Sequence, residues 1–306
     1  MTPTADSPAA PAEQRWLVPL ALVSLYVVWG STYLGIRFAL VSWPPFMLAA
    51  IRFALAGVLL YAWLRLRGAA PPTRRQWRNA AITGTLLLLG GNGLVCYAEQ
   101  SVSSGIAAVA VASMPLFATL FNGFYGEWPQ RNEILGLVIG FIGVVVLNLG
   151  STLSGSRLGA LALVSAAALW AFGSSWSRRQ DMPAGPMNTA AQMLCASIAL
   201  TLTAFLTGER LPAHPELHAT LAIGYLVVFG SLIGFSSYVY LLKTVRPALS
   251  TSYAYVNPPV AVLFGLMLGG EHVGPVDLAG MAVILVGVAI VIFSRGRAAR
   301  AAKAGG

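Results

Sequence analysis

The sequence predicts an all-α membrane protein of ten transmembrane helices, arranged as two inverted five-helix repeats. Of its 306 residues, 57% are hydrophobic and only 9% are charged, whereas soluble domains carry about 25% charged residues. Apolar stretches of about 20 residues, the length that crosses a bilayer, recur along the chain. The second half of the apolar region also repeats the first half at a spacing of about 143 residues.

Short connections separate the ten apolar stretches and leave no room for an inserted soluble domain. The stretches cover about residues 17–40, 46–66, 79–98, 102–124, 132–150, 157–177, 186–207, 219–242, 247–269 and 275–294. The first is too long for a signal-peptide core, and no clear cleavage site follows it. We therefore expect a retained helix after a disordered, Pro- and Ala-rich segment 1–16, and a basic tail over 295–306.

The basic residues predict the orientation of the chain. With the N-terminus inside, only Arg157 and Arg210 fall in outer connections, and Arg37 and Arg52 fall within helices. The inner connections and termini receive all the others: Arg15, Arg65, Arg67, Arg74, Arg75, Arg78, Arg131, Arg178, Arg179, Lys243, Arg246, Arg295, Arg297, Arg300 and Lys303. The positive-inside rule then places both termini in the cytoplasm. It also accounts for the net charge of +9 without a nucleic-acid partner.

The inventory of reactive side chains excludes several function classes. Cys96 and Cys195 lie in apolar stretches and His214, His218 and His272 in short polar connections, so we expect no disulfide framework and no metal site. Paired carboxylates or a Ser/His pair, which a membrane enzyme would need, are not apparent. No GxxxxGK[ST] motif is present. The sequence therefore predicts neither an enzyme nor an ATP-driven pump, and no cofactor.

The internal repeat predicts where a site would lie. Shifted by 143 residues, Gly30-Ser31 falls on Gly173-Ser174, Tyr97 on Tyr240, and PLFATLF (115–121) on PPVAVLF (258–264). Two equivalent halves with five spans each must cross the membrane in opposite senses. Such inverted repeats are common among secondary transporters, whose sites lie near mid-membrane at the repeat interface, often at broken helices. We expect breaks at Pro115, Pro258 and Pro259, because proline removes a backbone hydrogen bond.

Polar and aromatic residues in the middle of the spans predict the lining of a substrate cavity. Asn92 and Asn257 would be costly facing lipid, and Trp29 and Trp170 lie too deep for an interfacial belt. On a regular helix, only one of Tyr253 and Tyr255 can face the site. The candidate residues are Trp29, Ser31, Thr32, Tyr33, Arg52, Asn92, Tyr97, Glu99, Trp170, Ser174, Tyr253, Tyr255 and Asn257. The small-residue spacing of GLVIGFIG (136–143) instead predicts close helix packing.

Two intramembrane arginines need partners. Arg37 lies near the outer end of the first helix, where it can extend to the headgroups, so we expect it at the outer interface. Arg52 lies about two turns into the second helix, and intramembrane charges usually face the bundle interior. Its best partner is Glu99 at the outer end of the third helix, although Glu99 can equally be an exposed loop carboxylate.

Several motifs carry a resemblance to a known family. WGSTY in the first helix, RF in the second, GNGLVCYAEQSVSSGIAAVAVASMPLF across the third and fourth, and PALSTSYAYVNPPVAVLFG in the ninth resemble the EamA family of the drug/metabolite transporter superfamily. The resemblance covers roughly residues 16–295, and its specificity comes from the order, spacing and duplication of these short motifs. It implies two EamA repeats, over 17–150 and 157–294, and cytoplasmic termini.

The resemblance also implies a function and a location. It predicts a secondary transporter of the bacterial inner membrane that exports small metabolites, either amino-acid-like or drug-like. The inverted repeat favours alternating access over a fixed pore, and a passive channel or facilitator for small polar solutes is the alternative. Because every Asp and Glu falls at a predicted helix end or in a connection, proton coupling, exchange and facilitation all remain open. We expect the substrate and the bilayer as partners, and a monomer or weak homodimer.

Overall fold

The computed structural model describes residues 12–126, 128–129, 131–149, 156–245 and 252–304. All regular secondary structure within these ranges is helical. The elements of the first half are α1 (Ala12–Val23), π1 (Ser24–Trp29), α2 (Gly30–Ala39), α3 (Pro45–Leu66), α4 (Arg74–Gly84), π2 (Thr85–Gly93), α5 (Leu94–Ala98), α6 (Ser104–Val111), α7 (Met114–Gly123) and α8 (Arg131–Leu149). Those of the second half are α9 (Arg157–Ser177), α10 (Pro186–Leu206), α11 (Leu217–Tyr225), π3 (Leu226–Ile233), α12 (Gly234–Thr244), α13 (Tyr253–Leu268) and α14 (Pro275–Ala304).

Local sequence signals explain where many helices begin. Pro45 and Pro186 are the first residues of α3 and α10. The N–H of the first helical residue has no hydrogen-bond partner within the helix, so proline, which lacks an N–H, is well suited to this position. Before α4, Thr73 and Gln76 form a reciprocal capping box: Gln76 N–H donates to Thr73 Oγ1 at 3.2 Å, and Thr73 N–H to Gln76 Oε1 at 3.0 Å. Such caps satisfy amide groups that the helix itself leaves free.

Seven helical segments of the described chain are long and apolar enough to cross a membrane. They are Trp16–Ala39, Pro45–Leu66, Arg74–Ala98, Ser104–Gly123, Arg157–Ser177, Pro186–Leu206 and Leu217–Tyr238. Two shorter apolar helices, Val256–Leu268 and Pro275–Val291, follow them. The expected all-helical membrane architecture is thus confirmed, and the count of ten spans remains a prediction.

The packing is symmetric under exchange of the two halves. The most extensive contacts join equivalent helices, α3 with α10 and α8 with α14. The α2 helix contacts α13, and α9 correspondingly contacts α7, the equivalent of α13 in the first half. Equivalent helices also end alike: Gly68 after α3 and Gly208 after α10 have φ of 82° and 78°, a conformation that glycine adopts without steric cost.

The α8–α14 pair is packed backbone to backbone. A methyl group on Gly136 would lie 2.8 Å from the Gly287 carbonyl oxygen, and one on Gly143 would lie 2.6 Å from the Ile284 nitrogen. Both distances are too short for a side chain, so these positions require glycine. The close helix packing predicted from the small-residue spacing is confirmed.

Three π-helical segments, which were not predicted from the sequence, interrupt the α-helices. They are π1 in the first helix, π2 between α4 and α5, and π3 between α11 and α12. The π2 and π3 segments occupy equivalent places in the two halves. Because π segments are rare and frequently occur at functional sites, their positions indicate where the site should be sought.

The expected proline breaks are only partly observed. Between α6 and α7 the helix is interrupted at Ala112–Ser113, and Pro115 is the second residue of the new helix. By contrast, α13 continues through Pro258 and Pro259, so the break expected there is wrong. Only about one helical turn precedes these two prolines, so their missing hydrogen bonds affect the first turn and do not divide the helix.

Candidate functional site

A cavity lies between the two halves and is lined by helices from both. Its empty space, including the opening to solvent, measures about 760 Å³. Nine of the residues expected at the site line it: Trp29, Thr32, Tyr33, Arg52, Asn92, Trp170, Tyr253, Asn257 and Pro258. The π1, π2 and α13 elements thus each contribute a predicted side chain.

An aromatic cluster forms the main wall of the cavity, with Trp29 at its centre. The Trp29 ring lies 6.5 Å from Trp170, 5.2 Å from Phe235 and 5.3 Å from Tyr253, measured between ring centroids, with edge-to-face geometry in each case. Its Nε1–H donates to the Gly230 carbonyl at 3.0 Å. This hydrogen bond fixes the indole, so the wall is rigid and presents an apolar surface.

Two glycines make room for the two tryptophans. A methyl group on Gly91 of π2 would collide with the Trp170 ring, and one on Gly234 of α12 would collide with the Trp29 ring. Gly91 and Gly234 are separated by the repeat spacing of 143 residues. Each half therefore supplies a glycine that accommodates a tryptophan of the other half.

Arg52 is the only charged side chain that lines the cavity in the described chain. It is 2% exposed. Its Nε–H donates to Ser231 Oγ at 2.9 Å, and Nη1–H to Asn92 Oδ1 at 3.3 Å. Both acceptors belong to π segments, π3 and π2, so the guanidinium is held in place by neutral groups from both halves.

The expected Arg52–Glu99 ion pair is not formed and is a wrong prediction for this structure. Glu99 is 1% exposed, and neither of its carboxylate oxygens has a hydrogen-bond partner. In this structure Arg52 instead donates to the Ser231 hydroxyl and to the Asn92 amide oxygen. An ionised carboxylate without hydrogen bonds is costly to bury, so we expect Glu99 to hold a proton in this conformation.

Arg37 is hydrogen-bonded to backbone carbonyls between α5 and α6. Its Nη1 donates to the carbonyl oxygens of Glu99 at 3.1 Å and Val102 at 3.2 Å. Residues 99–103 join α5 to α6, so the guanidinium lies over carbonyls that helix ends leave free. These contacts join α2 to the α5–α6 connection, and the position of Arg37 at the outer interface stays a prediction.

Two loop carboxylates join helices at the same end of the bundle, which we call the Glu99 end. Glu271 accepts hydrogen bonds from the Ser104 and Gly105 amides of α6, at 2.8 and 3.2 Å. Glu209 accepts from the Phe46 and Met47 amides of α3, at 3.2 and 2.8 Å. A negative charge at a helix N-terminus satisfies free amides and is favoured by the helix dipole. Each carboxylate connects the second half to the first.

The sequence matches the EamA-like transporter family over residues 16–149 and again over residues 157–293. The chain belongs to this family. YedA, an inner membrane transporter of Escherichia coli K12, is 46% identical over 284 residues, which cover 92% of this chain and 93% of YedA. A probable terminal-alkyne amino-acid exporter of Streptantibioticus cattleyicolor is 25% identical over 272 residues, covering 89% and 92% of the two chains. One crystal structure has the same fold, with a TM-score of 0.64 at 23% identity over 90% of this chain and 96% of that chain.

Membership of the EamA family confirms the resemblance drawn from the motifs, and the close similarity to YedA agrees with it. It identifies the protein as a membrane transporter and not an enzyme. In the described ranges, no group of three or more His, Cys, Asp and Glu side chains could hold a metal ion. The cavity of this EamA protein therefore offers binding chemistry through one cation, two amides and an aromatic wall.

Several residues expected at the site of this EamA protein lie away from the cavity. Ser31 donates to the Val28 carbonyl and shares a 2.5 Å hydrogen bond with the Tyr225 hydroxyl. Tyr97 stacks on Phe46 and lines a separate pocket at the Glu99 end. Four more of the expected residues do not line the cavity: Ser174, Pro259, Glu99 and Pro115. The Tyr255 side chain lies outside the described residues.

Three residues with a specific role were not predicted from the sequence: Phe235 lines the cavity, Ser231 accepts from Arg52, and Glu271 accepts from the start of α6. Phe235 could have been found, because the repeat spacing of 143 residues places it opposite Asn92. Ser231 had no such signal, because the same spacing places it opposite Leu88. The capping role of Glu271 had no signal in the sequence, because its partners lie 167 and 166 residues away.

Proposed function

We propose that this EamA protein is a secondary transporter that exports small metabolites, amino-acid-like or drug-like compounds, across the bacterial inner membrane. The observation that carries the proposal is the cavity between two halves that pack symmetrically. Sites at the interface of inverted repeats are typical of carriers that work by alternating access. Export as the direction rests on the amino-acid exporter among the relatives.

The proposed topology has ten spans and cytoplasmic termini. To the seven long apolar helices it adds α8, α13 and α14, which occupy equivalent or neighbouring positions in the two halves. The positive-inside bias of the sequence then makes the Glu99 end the periplasmic side. Labelling of single cysteines introduced near each terminus should react from the cytoplasmic side only, and labelling of the two termini from opposite sides would contradict this topology.

The Glu99 end supports alternating access through a gate at the outer side. There, Glu271 ties the connection after α13 to the start of α6, and Arg37 ties α2 to the α5–α6 connection. Opening the outer side requires these contacts to separate. By the symmetry of the repeat, an equivalent set of contacts would form at the inner side when the outer side opens.

Transport by reconstituted vesicles tests the proposal. The purified protein in liposomes, given a panel of metabolites with and without a pH gradient, should show saturable flux and counterflow for at least one compound. The pH arms of the same experiment distinguish proton coupling from exchange or facilitation. Flux that rises linearly with concentration and shows no counterflow would instead support a passive channel or facilitator. Vesicles that move no compound of the panel would contradict the proposal.

A further inference from the structure

The charge of Arg52 is not balanced inside the cavity. None of the described lining residues is acidic, and Arg52 takes part in no ion pair in the described chain, since both acceptors of its hydrogen bonds are neutral. A buried charge is normally paired, because leaving water is costly for an isolated ion. The empty cavity therefore has a net positive charge that a ligand can neutralise.

The guanidinium also retains free donors. Arginine has five N–H groups in a planar fork that matches the two oxygens of a carboxylate. The described residues accept hydrogen bonds from one N–H each on Nε and Nη1. Ser231 and Asn92 thus fix the plane of the fork and leave the other donors available, which is the arrangement of a pre-organised anion site.

The rest of the cavity indicates the body of the ligand. Asn257 is 6% exposed, lines the cavity, and has no hydrogen-bond partner at its Oδ1, so it can accept from a hydroxyl or amide group of the ligand. The Trp29, Trp170 and Phe235 rings provide an apolar wall. One end of the cavity lining is therefore cationic and the wall is aromatic.

We infer that the cavity binds small organic anions, each with a carboxylate on Arg52, a hydroxyl or acylamino group on Asn257, and an apolar or aromatic body against the tryptophans. This inference rests on the proposed function, because it names the substrate class of the same cavity. A zwitterionic amino acid has the carboxylate as well, but its ammonium group would find no carboxylate among the described lining residues.

A net anionic substrate has a consequence for the energetics of export. Moving one negative charge outward across an inside-negative membrane is favoured by about 50-fold in concentration per 100 mV. The membrane potential alone can then drive export, and no protonatable carboxylate is needed in the cavity. Transport should accordingly be electrogenic, with negative charge leaving the side that holds the termini.

Four compounds of nearly equal size and shape separate the possible charge states. They are 3-phenyllactate (anion), 3-phenyllactamide (neutral), phenylalanine (zwitterion) and phenylalanine amide (cation), and the corresponding leucine-derived series provides a second, smaller body. Binding to the full-length protein in nanodiscs is measured by calorimetry. We expect the anion of at least one series to bind about 10- to 150-fold more tightly than its neutral amide, the range for a hydrogen bond to a charged group.

Variants then assign the preference to Arg52. Arg52→Gln should remove the preference for the anion and leave the affinity for the neutral amide within about twofold of that of the unmodified protein. Arg52→Lys, which keeps the positive charge, should restore part of the preference for the anion. Arg37→Gln is the matched control, because Arg37 lies outside the cavity wall and its loss should leave the preference unchanged. If Arg52→Gln does not fold, the four-compound comparison on the unmodified protein still decides the inference.

The outcomes separate this inference from the proposed function. Equal or tighter binding of the neutral, zwitterionic or cationic compound, or no binding in either series, would overturn the anion site. If vesicles transport neutral or zwitterionic metabolites but not the acids, export stands and the anion inference fails. If the anions bind with the expected preference but no compound of the panel is transported, the anion site stands and the proposed function fails.

Discussion

Replacing Gly234 with alanine is expected to disable the cavity by displacing Trp29. The new methyl group would overlap Nε1 of the indole and lie 2.5 Å from its Cδ1. Trp29 has no free direction in which to move, because its ring contacts Trp170, Phe235 and Tyr253 and its Nε1–H is bonded to the Gly230 carbonyl. The substitution therefore pushes the indole off its acceptor and toward the cavity.

The magnitude follows from two costs. Adding a methyl group to a well-packed site costs about 1–3 kcal/mol, and losing the indole hydrogen bond costs about 0.5–1.5 kcal/mol more. The gain in helix propensity from glycine to alanine, about 0.5–1 kcal/mol, offsets only part of this. We expect a net loss of stability of about 0.5–4 kcal/mol together with strongly reduced transport.

Thermal unfolding and vesicle transport measure the two effects. Gly224→Ala is the matched control, since Gly224 is exposed in α11 and has no atom within 4 Å of the added methyl group. The control should unfold at the same or a slightly higher temperature and transport normally. If Gly234→Ala behaves like Gly224→Ala in both assays, the argument that this glycine holds the aromatic wall open is wrong.

Three further substitutions test other contacts. Ser231→Ala removes the 2.9 Å acceptor of Arg52 and should lower the free energy of unfolding by about 1.5–3 kcal/mol; an unchanged unfolding temperature would contradict the role of this bond. Glu271→Gln removes the charge at the start of α6 and should cost about 0.3–2 kcal/mol; an unchanged free energy of unfolding in the same assay would contradict this role. Thr73→Ala breaks the capping box of α4 and should lower the free energy of unfolding by about 1 kcal/mol. Thr73→Ser keeps the capping hydroxyl and should retain most of that stability.

The helix positions were predictable because lipid imposes a simple rule on the sequence. A span needs about 20 apolar residues, and its ends are marked by proline, glycine or charge. The predicted stretch 157–177 coincides with Arg157–Ser177, and 186–207 differs by one residue from Pro186–Leu206. Cavity residues such as Trp29 and Asn257 were predicted from their position in the middle of a span, where polar side chains are costly against lipid and aromatic residues lie too deep for the interfacial belt. This rule, too, uses only the residue and its place in its own span.

What could not be predicted depends on contacts between distant residues. Arg52 bonds to Ser231, which is 179 residues away, and nothing local distinguishes that hydroxyl from the nearby carboxylate of Glu99. The continuity of α13 through Pro258 depends on how few residues precede the proline in the helix. The π segments likewise have no local signal in the sequence, because each differs from an α-helix only in its hydrogen-bond register.

The π segments place the binding groups where the helix register is easiest to change. Since successive helical residues differ by about 100° in direction, removing one residue from such a bulge would turn every side chain beyond it without moving the far end of the helix by more than about 1.5 Å. Related chains could therefore exchange the groups that face the cavity through single-residue insertions or deletions. Substrate preference within such a fold could then diverge by changes in length as well as by substitution.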